Sequence, residues 1–184
     1  MSRRIRERIR LATGDITRLD VDAVVTAANS GLRGGGGVDG AVHAAAGPEL
    51  LAECRAIGGC PAGEARITRG YRLRARHVIH AVGPVWRGGG SGEAALLRSA
   101  YVESLRLAEA RQLGSIAFPC ISTGVYGYPQ REACHIAVTA VCEWLENHPW
   151  PREVVFCCYL PDDAALYAER LEQIAGQEPR ADDR

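Results

Sequence analysis

Asn29-Ser30-Gly31-Leu32-Arg33-Gly34-Gly35-Gly36-Gly37-Val38-Asp39-Gly40-Ala41-Val42-His43 follows an apolar, β-branched run, Ala23 to Ala28, and leads into helical spacing. The run shows no polar alternation, which fits a strand buried on both faces and ending at Asn29. The consecutive glycines Gly34 to Gly37 then let the backbone approach a bound group with no Cβ in the way. The helix expected from about Asp39 to Ala46 turns its free N–H groups back toward that loop. Strand, glycine turn and helix start in this order suit an anion, and a phosphate is the natural guest.

Outward from this stretch, strands and helices alternate. Ile5 to Leu11 places its aliphatic residues on one parity and Arg6, Arg8 and Arg10 on the other, which predicts a strand with one wet face. Gly47-Pro48 stops the first helix, and Pro48 starts a second that runs through Ile57 to Gly58 and Gly59. Strands are expected at Ala65 to Arg69, His77 to Val82, Ser115 to Cys120 and Val154 to Tyr159, and helices at Glu93 to Leu113, Arg131 to Glu146 and Asp162 to Ile174. The spacing predicts a three-layer α/β/α domain on a mixed, largely parallel sheet. Residues 1–176 read as one domain and 177–184 as a polar tail. In such a sheet ligands bind beyond the carboxyl ends of the strands, so the glycine loop and the loop Ser122-Thr123-Gly124-Val125-Tyr126-Gly127 are expected to face one cleft. Two such loops can hold both sides of a diphosphate.

Composition narrows the function classes. The chain has 184 residues, enough for one substantial core, and a formal net charge of zero, which gives no support to non-specific attraction to nucleic acid or to an acidic membrane. Every basic residue is arginine. The seven cysteines (Cys54, Cys60, Cys120, Cys134, Cys142, Cys157, Cys158) include no C-x-x-C pair, a pattern of reduced thiols in a cytoplasmic protein and not of a zinc site. His77 and His80 would point to opposite faces of one strand and cannot share a metal. The absence of lysine excludes a Walker loop, and the glycine spacing does not match the dinucleotide fingerprint. No metal and no cofactor are expected, and a monomer is.

Gly14-Asp15-Ile16-Thr17, Ala27-Ala28-Asn29, Gly34 to His43, Val78-Ile79-His80 with Val82-Gly83-Pro84, and Phe118 to Pro129 together resemble a macrodomain of the MacroD type, in order and over nearly the whole chain. The resemblance implies a fold that binds ADP-ribose, with members that hydrolyse ADP-ribosyl esters on protein Asp and Glu and deacetylate O-acetyl-ADP-ribose. It implies that Asp15 and the Ile16 N–H meet the adenine, with Tyr159 against the ring. The diphosphate would lie on Gly35, Gly36, Gly37 and Val38 and on Ser122, Thr123, Gly124, Val125 and Tyr126. Asn29 would bond the distal ribose and share in catalysis with Asp39, the acid associated with it, and Tyr126 would wall the ribose.

Local sequence offers plainer roles beside these: a turn cap for Asp15, a turn start for Asn29, a helix N-cap for Asp39 and a half-buried strand end for Tyr159. An N-cap carboxylate has its charge favoured, so the Asp39 pKa is expected to fall, and with it the strength of Asp39 as a base. Asp39 would then chiefly orient a water, with a substrate phosphate oxygen sharing the proton. His43, one turn on, faces either cleft or sheet. Thr26 stands where the resemblance leads one to expect asparagine. The alternatives are a reader of ADP-ribose that does not cut, a phosphatase acting on ADP-ribose 1''-phosphate, and an RNA or poly-ADP-ribose binder using Arg6, Arg8 and Arg10.

Overall fold

The strands β1 (Ile9–Thr13), β2 (Ala23–Ala27), β3 (Ala65–Arg69), β4 (His77–Ala81), β5 (Ser115–Phe118) and β6 (Glu153–Cys158) form one sheet in the order β1-β6-β5-β2-β4-β3. The structure is a computed structural model that describes residues 2–176; the expected polar tail at 177–184 lies outside the described residues. All pairings are parallel except that of edge strand β3 with β4. The helices are α1 (Arg3–Arg6), α2 (Gly37–Ala46), α3 (Pro48–Ile57), α4 (Glu93–Ala110), α5 (Gln130–Asn147) and α6 (Pro161–Gly176). None of them is long and apolar enough to cross a membrane.

The apolar runs are continuous because both faces of the sheet are covered. Val25, Ile79, Ile116 and Phe118 pack on one face against Leu97 and Leu105 of α4 and Val138 and Val141 of α5. Val24, Val78, Ala117 and Val155, of the opposite parity, pack against Val42 of α2 and Leu50 and Cys54 of α3. Each fully buried Val or Ile contributes about 1.5–3 kcal/mol, so the three-layer arrangement follows from the residue pattern.

The amino end of the sheet is closed by Asp22. Its Oδ2 accepts the N–H groups of Gly114 (2.7 Å) and Ser115 (3.1 Å), and its Oδ1 accepts from Arg76 at 2.6 Å. Burial alone would raise its pKa, but these bonds outweigh burial and hold the carboxyl below its ordinary value.

Several expectations are corrected. Ile5 to Leu11 is not one strand: Ser2 caps the short α1, and β1 starts only at Ile9, opposite Val154. Ile5 and Ile9 are four apart, so their spacing fits one face of a helix as well as one parity of a strand. Arg8 is not on a wet face either; it donates to the carbonyls of Leu145 in the last turn of α5 and of His148 and Pro151 just beyond it, while Arg10 pairs with Glu153. Helix α4 ends at Ala110, not Leu113, because Gln112 takes a left-handed conformation and the Leu113 N–H turns back to the Ala108 carbonyl. Val82, Cys120 and Tyr159 lie just past their strands.

Candidate functional site

Five strands run the same way, so their carboxyl ends share one edge of the sheet. From β2 the chain goes to α2 on one face, and from the neighbouring β5 to α5 on the other. A crevice must open where adjacent strands send their connections in opposite directions. The glycine loop follows β2 and the Ser122–Tyr126 loop follows β5, so both leave the sheet at this point.

Asn29 folds the glycine loop. Its Nδ2 donates to the Gly34 carbonyl at 2.8 Å and its Oδ1 accepts the Arg33 N–H at 3.2 Å, so the turn-forming role is present. The loop then presses onto α2. A Cβ at residue 40 would stand 2.5 Å from the Gly35 carbonyl oxygen, which is why Gly40 has no side chain. A Cβ at residue 35 would stand 3.7 Å from both Asn29 Nδ2 and Asp39 Oδ2, so Gly35, Asn29 and Asp39 line one spot.

On the other side of the crevice, a Cβ at residue 83 would collide with the Ser122 hydroxyl, and Gly83 lets these two loops touch. The Trp86 N–H donates to the Tyr126 carbonyl at 2.8 Å. Residues 83–92 are themselves gathered by Glu93, a nearly buried carboxylate that accepts the N–H groups of Arg87 (3.0 Å), Gly89 (3.2 Å) and Ser91 (2.7 Å). Its own backbone N–H first, and then those of Ser91, Arg87 and Gly89, outweigh burial and hold its pKa down. Neither Glu93 nor Trp86 was found from sequence, where the glycine-rich segment read as a plain loop. Val125 is fully exposed, Tyr126 half-buried, and Ser122 buried with its Oγ unpartnered among the described residues.

Asp15 and Tyr159 follow the ends of β1 and β6, which pair through Thr13 and Cys158. Asp15 caps the 3-10 turn Ile16–Arg18: its Oδ1 accepts both the Thr17 hydroxyl (2.7 Å) and the Thr17 N–H (2.9 Å), which lower its pKa. Oδ2 of this exposed carboxylate is left for another donor. Tyr159 is 76% exposed, more open than the half-buried strand end expected of it. The β1 and β2 strands are three strand spacings apart, about 14 Å, so the bordering loops span the length of an extended ligand.

Asp39 departs from expectation. It is the third residue of α2, with Gly36 as the cap, and it is only 3% exposed. Its Oδ1 accepts the Thr26 hydroxyl at 2.9 Å and lies 3.8 Å from His43 Nε2. Burial is the largest influence and pushes the pKa up; the Thr26 bond and His43 offset only part of it. The expected fall is therefore reversed, because losing water costs the carboxylate more than the helix start returns. Thr26, directly beneath α2 on β2, was noticed in sequence only as a departure; here it anchors the acid.

Behind Asp39, His43, Cys54 and His80 bring ligand atoms within 4.8 Å of one another, although α2, α3 and β4 supply them and no sequence spacing signals the group. Three N and S donors are the kind zinc takes. His80 Nε2, however, lies 2.9 Å from the Thr68 hydroxyl, and burial, then His43, pushes the His80 pKa down to about 3. A neutral His80 sits between Thr68 and Cys54 as buried polar packing.

Comparison with known proteins agrees with this geometry. The Macro domain family model matches residues 25–137, which hold both crevice loops and Asp39. A macro domain-containing protein of Mesorhizobium japonicum is 60% identical over 88% of this chain and 92% of its own length. The O-acetyl-ADP-ribose deacetylase of Salmonella newport is 53% identical over 94% of this chain and 98% of its own. A variant of the Oceanobacillus iheyensis macrodomain, solved with ADP-ribose, superposes with a TM-score of 0.88 at 39% identity, covering 91% and 93% of the two chains. With this sheet order, these loops and these relatives, the chain belongs to the macro domain family.

Proposed function

We propose that this protein binds ADP-ribose and hydrolyses esters on its distal ribose, taking O-acetyl-ADP-ribose and ADP-ribosyl esters of protein Asp and Glu side chains. The observation that carries the reading is Asp39, a buried carboxylate with Oδ1 anchored by Thr26 and Oδ2 beside Asn29 and Gly35. Asp15, Ile16 and Tyr159 receive the adenine at one end of the crevice. Gly35 to Val38 and Ser122 to Tyr126 hold the diphosphate between backbone N–H groups and the start of α2. Asn29, Asp39 and Tyr126 surround the distal ribose.

In this arrangement Asp39 Oδ2 takes a proton from a water whose oxygen attacks the ester carbonyl carbon. The acyl C–O bond then breaks, and the ribose oxygen leaves as a hydroxyl by taking that proton back from Asp39. A carboxylate whose pKa is raised by burial is a stronger base than a surface one, so Asp39 does more than orient the water. Relatives named O-acetyl-ADP-ribose deacetylase support the hydrolase over a reader.

The test is single-turnover release of ADP-ribose from a protein mono-ADP-ribosylated on glutamate, beside calorimetric titration of free ADP-ribose. Asp39→Ala should slow release at least about 100-fold while binding changes by only a few-fold. Equal losses in rate and affinity would overturn the catalytic role, and binding without release by the wild type would make the protein a reader.

A further inference from the structure

The register of β5 and β6 brings two thiols together at the edge of the crevice. Phe118 lies opposite Phe156, and two residues further on each chain stand Cys120 and Cys158. Their sulfurs are 3.7 Å apart, and both cysteines are free. Neighbouring strands run about 4.8 Å apart, inside the Cα separation a disulfide spans, about 4.4–6.8 Å. Closing the bond needs the sulfurs to approach by about 1.7 Å. The freedom for it lies on the β5 side, where the ladder has ended at Phe118 and Pro119 has no N–H to tie down. Cys157, next in sequence, donates to the Gly14 carbonyl at 3.5 Å on the opposite face of the sheet and is not aimed at Cys120.

We propose that Cys120 and Cys158 are a redox-active dithiol that takes a hydroperoxide as its oxidant, and that the disulfide form binds ligand in the crevice more weakly. Cys120 is half-buried and is the point of entry; Cys158 is buried behind it. The Cys120 sulfur takes the outer oxygen of the peroxide as the O–O bond breaks, releasing water from hydrogen peroxide or an alcohol from an organic hydroperoxide, and becomes a sulfenic acid. The Cys158 sulfur then attacks the Cys120 sulfur, the S–S bond forms and the second oxygen leaves as water. Two thiols lose two electrons and one peroxide gains them.

The consequence for the site follows from chain position. Cys120 stands two residues before Ser122, and its carbonyl accepts the Thr123 hydroxyl at 3.0 Å, so pulling it toward β6 drags the base of the loop that borders the crevice. Cys158 immediately precedes Tyr159.

The test treats the full chain with one equivalent of hydrogen peroxide. Intact mass should show the loss of two hydrogens, and cleavage after arginine should join the peptide 112–131, whose one cysteine is Cys120, to the peptide 153–170. That link should survive Cys157→Ala and vanish in Cys158→Ala. ADP-ribose affinity should fall about tenfold on oxidation, return with dithiothreitol, and stay unchanged by peroxide in Cys120→Ala, whose half-buried position keeps the test sound if Cys158→Ala folds poorly. No link, a link through Cys157, a link with unaltered affinity, or an equal loss in Cys120→Ala would each overturn the proposal. The affinity arm rests on the proposed ADP-ribose binding: if reduced wild type does not bind ADP-ribose, that reading fails, and the peptide link alone decides the dithiol.

Discussion

Two aspartates at opposite ends of β2 show how the same side chain is used for two purposes. Asp22, just before the strand, is met by the N–H groups of Gly114 and Ser115 and by Arg76, and its pKa is lowered. Asp39, held at the other end through Thr26, is nearly fully buried with one short hydrogen bond, and its pKa is raised. A carboxylate supplied with donors fastens three strands at the amino end of the sheet. A carboxylate deprived of them beside the glycine loop is costly to keep ionised, and that cost is what suits it to the base role proposed for it.

The largest effect on stability is expected at the saturated end. Asp22→Ala leaves the Gly114 and Ser115 N–H groups without their acceptor and should cost about 3 kcal/mol at neutral pH. The sign follows from the lowered pKa: the contribution is present above the unfolded value, about 3.9, and is lost as pH falls through the folded one. Denaturant titrations of wild type and variant should therefore converge in acid. A variant as stable as wild type at neutral pH would remove the contrast between the two ends.

How far this contrast can be read from sequence depends on the distance over which each contact acts. The buried strand Ala23–Ala27, the glycine loop and the helix after it rest on neighbouring residues, and their type and order were plain. Ile5 to Leu11 reads as one strand because residues four apart satisfy both periods, and the carbonyls that take Arg8 lie more than a hundred residues away. Local sequence puts Asp39 at the N-cap because a glycine cap leaves no side-chain signal, and the Thr26 hydroxyl that holds it comes from another element. Glu93 carried no signal, since a carboxylate that gathers three loop N–H groups has the same sequence as one facing solvent. Cys120 and Cys158 meet only through the strand order.

A smaller effect of opposite sign is expected at the deprived end. Asp39→Asn keeps an acceptor for the Thr26 hydroxyl and removes a buried charge, so it should stabilise the protein by about 1 kcal/mol at neutral pH while hydrolysis is lost. Because the folded pKa is raised, the wild type loses stability as pH rises from about 3.9 through the folded value, and below about 3.9 both proteins should unfold at the same denaturant concentration. A gain that persisted unchanged into acid would mean that packing, and not ionisation, caused it.

The smallest effect falls on the Thr26 bond, which together with His43 offsets part of the burial of Asp39. Thr26→Val preserves shape within a fully buried strand and removes the hydroxyl that donates to Oδ1. That bond lowers the Asp39 pKa, so without it the pKa should rise further. If hydrolysis needs Asp39 ionised, the acidic limb of the rate profile should move to higher pH by about one unit, the worth of one hydrogen bond to a charged acceptor. Well above that limb the rate should stay close to wild type, since the base that remains is slightly stronger. Single-turnover rates across the pH range, with ADP-ribose affinity measured at each point, separate this from a binding defect. A lower plateau with an unmoved limb would show that Thr26 positions Asp39 without tuning it, and the raised base strength would then come from burial alone.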